Sequence, residues 1–195
     1  LILDTGVHNR KEVEAIVNAP FLEDIPQTAK VMTDAHEVVV RARGLDALSE
    51  SFRILRTNLG FMVSQTEERK VITLTSFNIG AGKTFISINL AASLVQTEKK
   101  IVLLDLDLRK GKFLLNKRLD QLVAELKERY DYIIVDNVPI GLVADATVVN
   151  RITDLTLFIV RVGKIDRRQL PELVRLYQEH KLNNMAVVLN GTEKG

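Results

Sequence analysis

The fold is decided by one stretch of the chain, Thr75-Ser76-Phe77-Asn78-Ile79-Gly80-Ala81-Gly82-Lys83-Thr84. An apolar run at 71–74 precedes it, and a helical pattern at 85–95 follows it. Strand, glycine-bearing loop and helix in this order are typical of a phosphate-binding loop, whose main-chain N–H groups and helix N-terminus offer partial positive charge to phosphate oxygens. The sequence therefore predicts a nucleotide site that comprises Asn78, Ile79, Gly80, Ala81, Gly82, Lys83, Thr84 and Phe85.

Two side chains of this loop have specific chemistry. Lys83 can reach the β- and γ-phosphates, and the Thr84 hydroxyl can ligate Mg²⁺. The usual spacing, G-x-x-x-x-G-K-[ST], places its first glycine at position 77, where this chain has Phe77. The alternative is an ordinary strand-to-helix turn in which Lys83 is solvated.

Bulk properties exclude several classes of protein. The chain has 195 residues, enough for one domain with a sizeable core, and a net charge of +2 that demands no nucleic-acid or membrane partner. It has no cysteine, so disulfides and thiolate sites are excluded. No apolar run approaches the length of a membrane span, and Leu1 lacks an initiator methionine and a signal pattern. We expect a soluble fragment of a longer protein, with no nucleic-acid partner.

Apolar runs and helical patterns alternate after residue 70. Short runs rich in Val, Ile and Leu, typical of parallel strands, lie at 71–75, 101–105, 132–136, 155–161 and 185–190. Helical patterns lie at 84–96, 114–129, 143–151 and 166–181. This alternation predicts a P-loop NTPase-like three-layer α/β/α sandwich with a mostly parallel central sheet and its ligand site at the strand carboxyl ends.

The N-terminal part predicts smaller elements. A short amphipathic helix is expected at 9–19, with Val13, Ile16 and Val17 on one face, then an extended piece at 21–26 and a possible strand at Val38–Val40. A longer helix is expected at 45–63, with a buried stripe of Leu48, Phe52, Leu55, Leu59 and Met62. We divide the chain into an N-terminal linker that packs on the core, 1–44, and a P-loop domain, 45–195.

Carboxylates follow two of the predicted strands. Asp105 and Asp107 end the run at 101–105, and Asp136 ends the run at 132–136 in the layout of a Walker B motif. Adjacent carboxylates repel each other, and a divalent cation with nucleotide phosphates relieves that cost. One carboxylate could also accept a proton from an attacking hydroxyl. The alternative is a strand end that enters a polar loop. Asn190 ends the last strand and could either touch a base or form a turn.

A charged stripe lies on the predicted helix at 45–63. Glu50, Arg53 and Arg56 are three residues apart and therefore share a face. They could contact a partner, since Arg suits fixed ion pairs, or form a solvated face with weak Glu–Arg pairing. Spacing alone favours the solvated face.

Taken together, these motifs resemble those of the bacterial tyrosine kinases of capsule and exopolysaccharide synthesis. That family has an apolar run ending D-x-D-x-R, matched by Asp105, Asp107 and Arg109, and an E-x-x-R-x-x-R motif, matched by Glu50, Arg53 and Arg56. The resemblance covers roughly residues 10–191. It implies transfer of the ATP γ-phosphoryl group to tyrosine, mostly on the tyrosine-rich C-terminal tail of a neighbouring subunit.

The resemblance also implies roles and partners. Lys83 would clamp phosphates, Thr84, Asp107 and Asp136 would hold Mg²⁺ or its waters, and Asp105 would be the candidate base. Glu50, Arg53 and Arg56 would mediate a ring-like homo-oligomer. A membrane-spanning chain-length regulator, in the same chain or as a partner, and a cognate tyrosine phosphatase are implied too. The implied location is the cytoplasmic face of the bacterial inner membrane.

The sequence departs from that family in three places. Asn137-Val138-Pro139 stands where members often have T-P-P, and the stretch at 110–131 is shorter than usual, so residues could be missing within it. A tyrosine-rich tail is absent, and we expect the complete protein to continue with one. The alternatives are a partitioning or septum-site ATPase, whose K-G-G-x-G-K-T loop has its second lysine where this chain has Asn78, and an inactive nucleotide-sensing scaffold.

Overall fold

A six-stranded sheet with the order β1-β6-β5-β2-β4-β3 forms the centre of the molecule. The computed structural model describes residues 5–27, 35–65, 70–106, 117–140 and 147–193. Every pair of neighbouring strands in this sheet is parallel. The strands are β1 (Phe21–Pro26), β2 (Val71–Thr75), β3 (Ile101–Leu106), β4 (Tyr132–Asn137), β5 (Leu155–Arg161) and β6 (Met185–Thr192).

Helices cover both faces of this sheet. They are α1 (Arg10–Glu14), α2 (Ala47–Val63), α3 (Lys83–Val95), α4 (Lys117–Arg129), α5 (Thr147–Asn150) and α6 (Leu170–Gln178), and a 3₁₀ turn at Arg167–Gln169 precedes α6. Apolar side chains of α2 and α3 share one core cluster with the sheet, and those of α1, α4 and α6 lie in two clusters on the opposite face. The predicted three-layer sandwich is therefore confirmed, with a sheet that is wholly parallel in the described residues.

Helix α2 begins at a side-chain cap and packs by its predicted stripe. Asp46 accepts a hydrogen bond from the Ser49 main-chain N–H at 2.9 Å, which satisfies one of the free donors of the first turn. The stripe predicted for this helix lies in the core, and Phe52 meets Phe85 of α3 edge to face at 5.8 Å between ring centroids. This contact joins α2 to the helix that starts at the glycine-bearing loop.

The predicted helix at 9–19 is too long. Helix α1 ends at Glu14, and the Val17 N–H bonds to the Val13 carbonyl as the chain turns away from the helix axis. That turn returns Val17 to the core and leaves Ile16 47% exposed, so the prediction that Ile16 shares the buried face is wrong. The extended piece at 21–26 is strand β1, which pairs with β6 at the edge of the sheet.

The possible strand at Val38–Val40 does not form. Its main-chain N–H groups are bonded by a side chain, because Asn89 Oδ1 accepts from Val39 N at 2.8 Å and from Val40 N at 3.2 Å. The Asn89 amide nitrogen donates to the Glu37 carbonyl at 2.9 Å and the Phe85 carbonyl at 3.0 Å. Asn89 is 0% exposed, so one buried amide of α3 takes the place of a strand partner.

We found no helix, among those of the described ranges, with the length and apolar character that crossing a membrane requires.

Asn89→Ala should destabilise the fold by about 2–4 kcal/mol, because it leaves the N–H groups of Val39 and Val40 and the Glu37 carbonyl without the partner that now satisfies them. The measurement is the free energy of unfolding in urea. Asn58→Ala is the matched control, since Asn58 is partly buried and makes one bond, at 2.6 Å, to the Leu22 carbonyl. An equal loss in the two variants would show that Asn89 does not fix this segment.

Candidate functional site

An open cleft of about 340 Å³ lies at the carboxyl ends of β2, β3 and β4. Parallel strands bring their carboxyl ends to one edge, so loops distant in sequence meet there. The loop between β2 and α3 forms one wall, and the ends of β3 and β4 form the other. The lining residues are Ala35, Ile79, Gly80, Gly82, Lys83, Thr84, Phe85, Asp105, Asp136, Asn137, Val138 and Pro139.

Glycine is required at position 82 for two reasons. Gly82 has φ +91°, a left-handed conformation that side chains disfavour. A β-carbon there would also lie 2.2 Å from Nδ2 of Asn190, which reaches in from the end of β6. That same amide nitrogen donates to the Ala81 carbonyl at 2.8 Å, and Asn190 is buried. Asn190 therefore supports the loop from behind, and its predicted contact with a base stays a prediction.

Lys83 points into the cleft wall and not into solvent. Its side chain is 9% exposed, and Nζ donates to Ser76 Oγ at 3.1 Å. The Ser76 hydroxyl in turn donates to the Asn78 carbonyl at 2.9 Å. Burial lowers the pKa of the Lys83 ammonium, and the nearby Asp136 carboxylate opposes that effect. The Lys83 ammonium loses hydration because it is buried. An anionic phosphate bound beside it would compensate for that loss.

Thr84 and Asp136 meet across the cleft. The Thr84 hydroxyl donates to Asp136 Oδ2 at 2.5 Å. Burial raises the pKa of the Asp136 carboxyl, and Asp105 adds to this, whereas the Thr84 hydrogen bond and the charges of Lys83 and His36 lower it. The Walker B acid thus faces the hydroxyl that follows Lys83, and the cation that the sequence predicted for these two residues stays a prediction.

Asp105 is directly opposite Asp136 in the sheet register. The two residues are paired across β3 and β4, so their side chains emerge on the same face. Asp105 is exposed and lines the cleft, whereas Asp136 is buried. One carboxylate is therefore fixed beside Thr84, and the other is open to an incoming group. Asp107 and Arg109 lie outside the described residues, so their predicted roles stay predictions.

The donor set fits a magnesium ion that a nucleotide brings with it. Hydroxyl and carboxylate oxygens are hard ligands of the kind that Mg²⁺ prefers, and Thr84 and Asp136 supply them side by side. Within the described residues, no group of three or more His, Cys, Asp or Glu side chains could hold a metal ion. A cation here would rely on phosphate oxygens and waters for its remaining ligands, which is how Mg²⁺ usually binds in such sites.

The first half of the loop is fixed from outside. Phe77 meets Phe158 of β5 edge to face with 4.8 Å between ring centroids, so the residue in the usual glycine position is a hydrophobic anchor. Asn78 and Gln169 exchange amide hydrogen bonds at 3.2 Å in both directions. The Asn78 amide nitrogen also donates to the Lys164 carbonyl at 3.3 Å. Asn78 and Ala81 do not line the cleft, although the sequence grouped them with the nucleotide-binding residues.

The charged stripe on α2 is partly used inside the chain. Arg53 pairs with Glu50, and its Nη2 donates to the Gly44 carbonyl at 3.0 Å. Arg56 Nη1 donates to the Ser93 carbonyl at 2.7 Å and so joins α2 to the last turns of α3. The side chains of Glu50 and Arg53 are still 51% and 37% exposed, so these two are the part of the stripe open to a partner.

Sequence reasoning missed several residues of this site. Ser76 and Gln169 belong to it through the hydrogen bonds of Lys83 and Asn78, and no motif marks them. Asn137 was noted only as a departure from T-P-P. Its Oδ1 is the one buried side-chain polar atom of the described residues that has no hydrogen-bond partner. Its position directly after the Walker B acid was the signal that could have singled it out.

The chain is similar in sequence to known nucleotide-binding domains and kinases, as a cleft at a glycine-bearing loop would suggest. The sequence profile of the "CobQ/CobB/MinD/ParA nucleotide binding domain" family matches residues 72–195. "Tyrosine-protein kinase wzc" of Salmonella typhi is 26% identical over an alignment of 194 positions, gaps included, that covers 74% of this chain and 27% of that protein. "Tyrosine-protein kinase etk" of Escherichia coli (strain K12) is 25% identical over an alignment of 198 positions, gaps included, that covers 76% of this chain and 27% of that protein.

A solved structure shares the fold over nearly its whole length. The "BceF Tyrosine Kinase Domain" superposes with a TM-score of 0.83 at 24% identity, covering 95% of this chain and 99% of that one. The chain spans about a quarter of the length of the two kinases above, 27% in both cases. By the extent of the profile match, the chain belongs to the CobQ/CobB/MinD/ParA family of nucleotide-binding domains. The two relatives above, to which its sequence is similar, are named as tyrosine-protein kinases.

Proposed function

We propose that this chain is the catalytic domain of an ATP-dependent protein-tyrosine autokinase. The observation that carries the proposal is the cross-strand pair Asp105 and Asp136, which lines the same cleft as Lys83 and Thr84. One acid is held by the loop hydroxyl, and the other is free to meet a substrate. A carboxylate that is open to the cleft and could accept a proton is needed only by a domain that also transfers the phosphoryl group.

The reaction is a phosphoryl transfer. The tyrosine oxygen forms a bond to the γ-phosphorus of ATP, the bond from that phosphorus to the β,γ-bridging oxygen breaks, and ADP leaves with the electron pair. Asp105 accepts the phenolic proton, since it is the carboxylate open to the cleft. Lys83 holds the β- and γ-phosphates. Thr84 and Asp136, with Asp107, would hold Mg²⁺, which when bound neutralises charge on the phosphates.

The acceptor and the partners follow from the same proposal. The phosphorylated tyrosines lie on a C-terminal tail of neighbouring subunits, and the assembly regulates polymerisation and export of a capsular or extracellular polysaccharide. A membrane-spanning chain-length regulator, in the same chain or as a partner, holds the domain at the cytoplasmic face of the inner membrane. A cognate tyrosine phosphatase reverses the modification. The exposed pair Glu50 and Arg53 supports contact between subunits.

The structure weakens the partitioning-ATPase alternative. That class extends a lysine from position 78 of the loop toward a second subunit. Here position 78 is an asparagine whose amide is bonded to Gln169 and to the Lys164 carbonyl, on the side of the loop away from the cleft. The inactive scaffold remains a distinct alternative, and it differs in having no transfer chemistry.

Lys83→Met in the complete protein should abolish tyrosine phosphorylation, because the phosphates lose their buried cation. The measurement is phosphotyrosine after incubation with ATP and Mg²⁺. Lys181→Met is the matched control, since Lys181 is exposed and remote from the loop. ATP binding by the wild type without any phosphotyrosine would favour the scaffold over the kinase.

Substitutions of the two aspartates should separate binding from chemistry. Asp136→Asn should weaken Mg²⁺-dependent ATP binding without lowering the melting temperature, because burial already disfavours the Asp136 charge. Asp105→Asn should leave ATP binding intact and reduce kcat by about 10²–10⁴-fold, the usual contribution of a general base. ATP titrations, single-turnover rates and thermal melts test this.

Asp120→Asn is the control for both variants, because among the described residues Asp120 forms an exposed pair with Arg151. A loss of ATP binding in Asp105→Asn equal to that in Asp136→Asn would contradict the proposed division of roles.

Arg53→Ala should reduce the size of the assembly while the subunit stays folded, because Arg53 is partly exposed on α2. Arg56→Ala should instead lower the stability of the subunit by about 1–2 kcal/mol, since the Ser93 carbonyl loses a charged donor. Light scattering with a thermal melt of each variant distinguishes the two effects. An unchanged assembly in Arg53→Ala removes this arginine from the interface.

A further inference from the structure

A second lysine lies against the phosphate loop. The ammonium nitrogen of Lys164 is 3.1 Å from the place where a β-carbon on Gly80 would be. Gly80 has φ +75° and lines the cleft on its inner side, so only the main chain of one residue separates this ammonium from the cleft. Lys164 belongs to the turn after β5 and is exposed, and it is not part of any motif found in the sequence.

The main chain that carries Lys164 is fixed relative to the loop. Asn78 donates to the Lys164 carbonyl at 3.3 Å, and Gln169, the last residue of the following 3₁₀ turn, pairs with the same Asn78 amide. On the other side of the turn, the Gly163 N–H donates to the Val7 carbonyl at 2.8 Å, and the Val7 N–H donates to the Ile165 carbonyl at 3.1 Å. The lysine stem therefore starts from a rigid base, although its end is free to move.

The charges nearby favour an anion at this position. Throughout the described ranges, no carboxylate forms an ion pair with Lys164. Arg161 lines the same shallow depression behind the loop and rests on Gly191, where a β-carbon would lie 2.7 Å from its Cζ. Two neighbouring cations repel each other, so the Lys164 ammonium gains by turning away from Arg161 and toward negative charge. In the proposed function, the polyphosphate of ATP would bring such negative charge to the cleft.

We propose that Lys164 is a second phosphate-binding lysine of the site, which acts within its own subunit and contacts the β- and γ-phosphates over Gly80. This inference rests on the proposed ATP site. The inference also explains the role of Asn78. In the partitioning class, this loop position carries a lysine. Here it carries Asn78, whose amide anchors the turn that bears Lys164. The cation reaches the phosphates from inside the subunit and not from its neighbour.

The experiment measures the dissociation constants of ATP, ADP and AMP for the complete protein and its Lys164→Met variant. If Lys164 contacts the β- and γ-phosphates, the loss of affinity in the variant should be largest for the nucleotide that carries both of them. We expect Lys164→Met to weaken ATP binding about tenfold, ADP binding less and AMP binding not at all, as for loss of one charge-assisted contact. Lys164→Arg should restore most of the affinity, because the charge is kept. Lys181→Met is the control and should leave all three constants unchanged.

Each other outcome contradicts the inference. Equal loss for ATP, ADP and AMP would show that the turn was disrupted and that no phosphate contact was removed. Unchanged ATP binding in Lys164→Met would overturn the role of Lys164 and leave the proposed kinase intact. Absence of ATP binding in the wild type would overturn both. A thermal melt of Lys164→Met that matches the Lys181→Met control separates loss of a contact from loss of the fold.

Discussion

The loop between β2 and α3 keeps its shape because other parts of the chain hold it from outside. Phe77 packs on Phe158, Asn78 pairs with Gln169, and Asn190 bonds to the Ala81 carbonyl. A loop rich in glycine has many accessible conformations and loses entropy when it closes on a ligand. Contacts to β5, β6 and the start of α6 remove part of that freedom before any ligand binds, so less conformational entropy is lost on binding.

The same arrangement buries the charged side chains of Lys83 and Asp136, and burial of a charge costs free energy. Burial shifts the pKa of Lys83 downward and that of Asp136 upward, so each is pushed toward its neutral form. Within the subunit the Ser76 and Thr84 hydroxyls offset only part of this cost. A ligand that brings opposite charges to both side chains would offset the remaining cost. The cleft is thus the place where the fold leaves buried charges incompletely compensated, which is typical of functional sites.

The sequence predicted the elements that depend on local pattern. Runs such as Ile133–Val135 are apolar on both faces and allow only a buried strand, and the stripe of α2 requires a single buried side. Features that depend on distant partners were not predictable. Asn89 replaces a strand partner for Val39 and Val40, a contact across about fifty positions, with separations of 50 and 49 residues. Ile16 is exposed because the chain turns after Glu14, and helical periodicity does not report where a five-residue helix ends.

Spacing predicts which residues share a face, but it does not predict what they contact. Arg53 and Arg56 lie on one side of α2, yet Arg56 reaches a carbonyl of α3 in its own subunit, while Arg53 stays accessible beside Glu50. Position 78 shows the same limit. The sequence established only that a lysine is absent there, and absence alone does not assign a role to asparagine. The contacts of its amide do, because they join the phosphate loop to the turn after β5, and a short polar side chain at this position is what makes that junction possible.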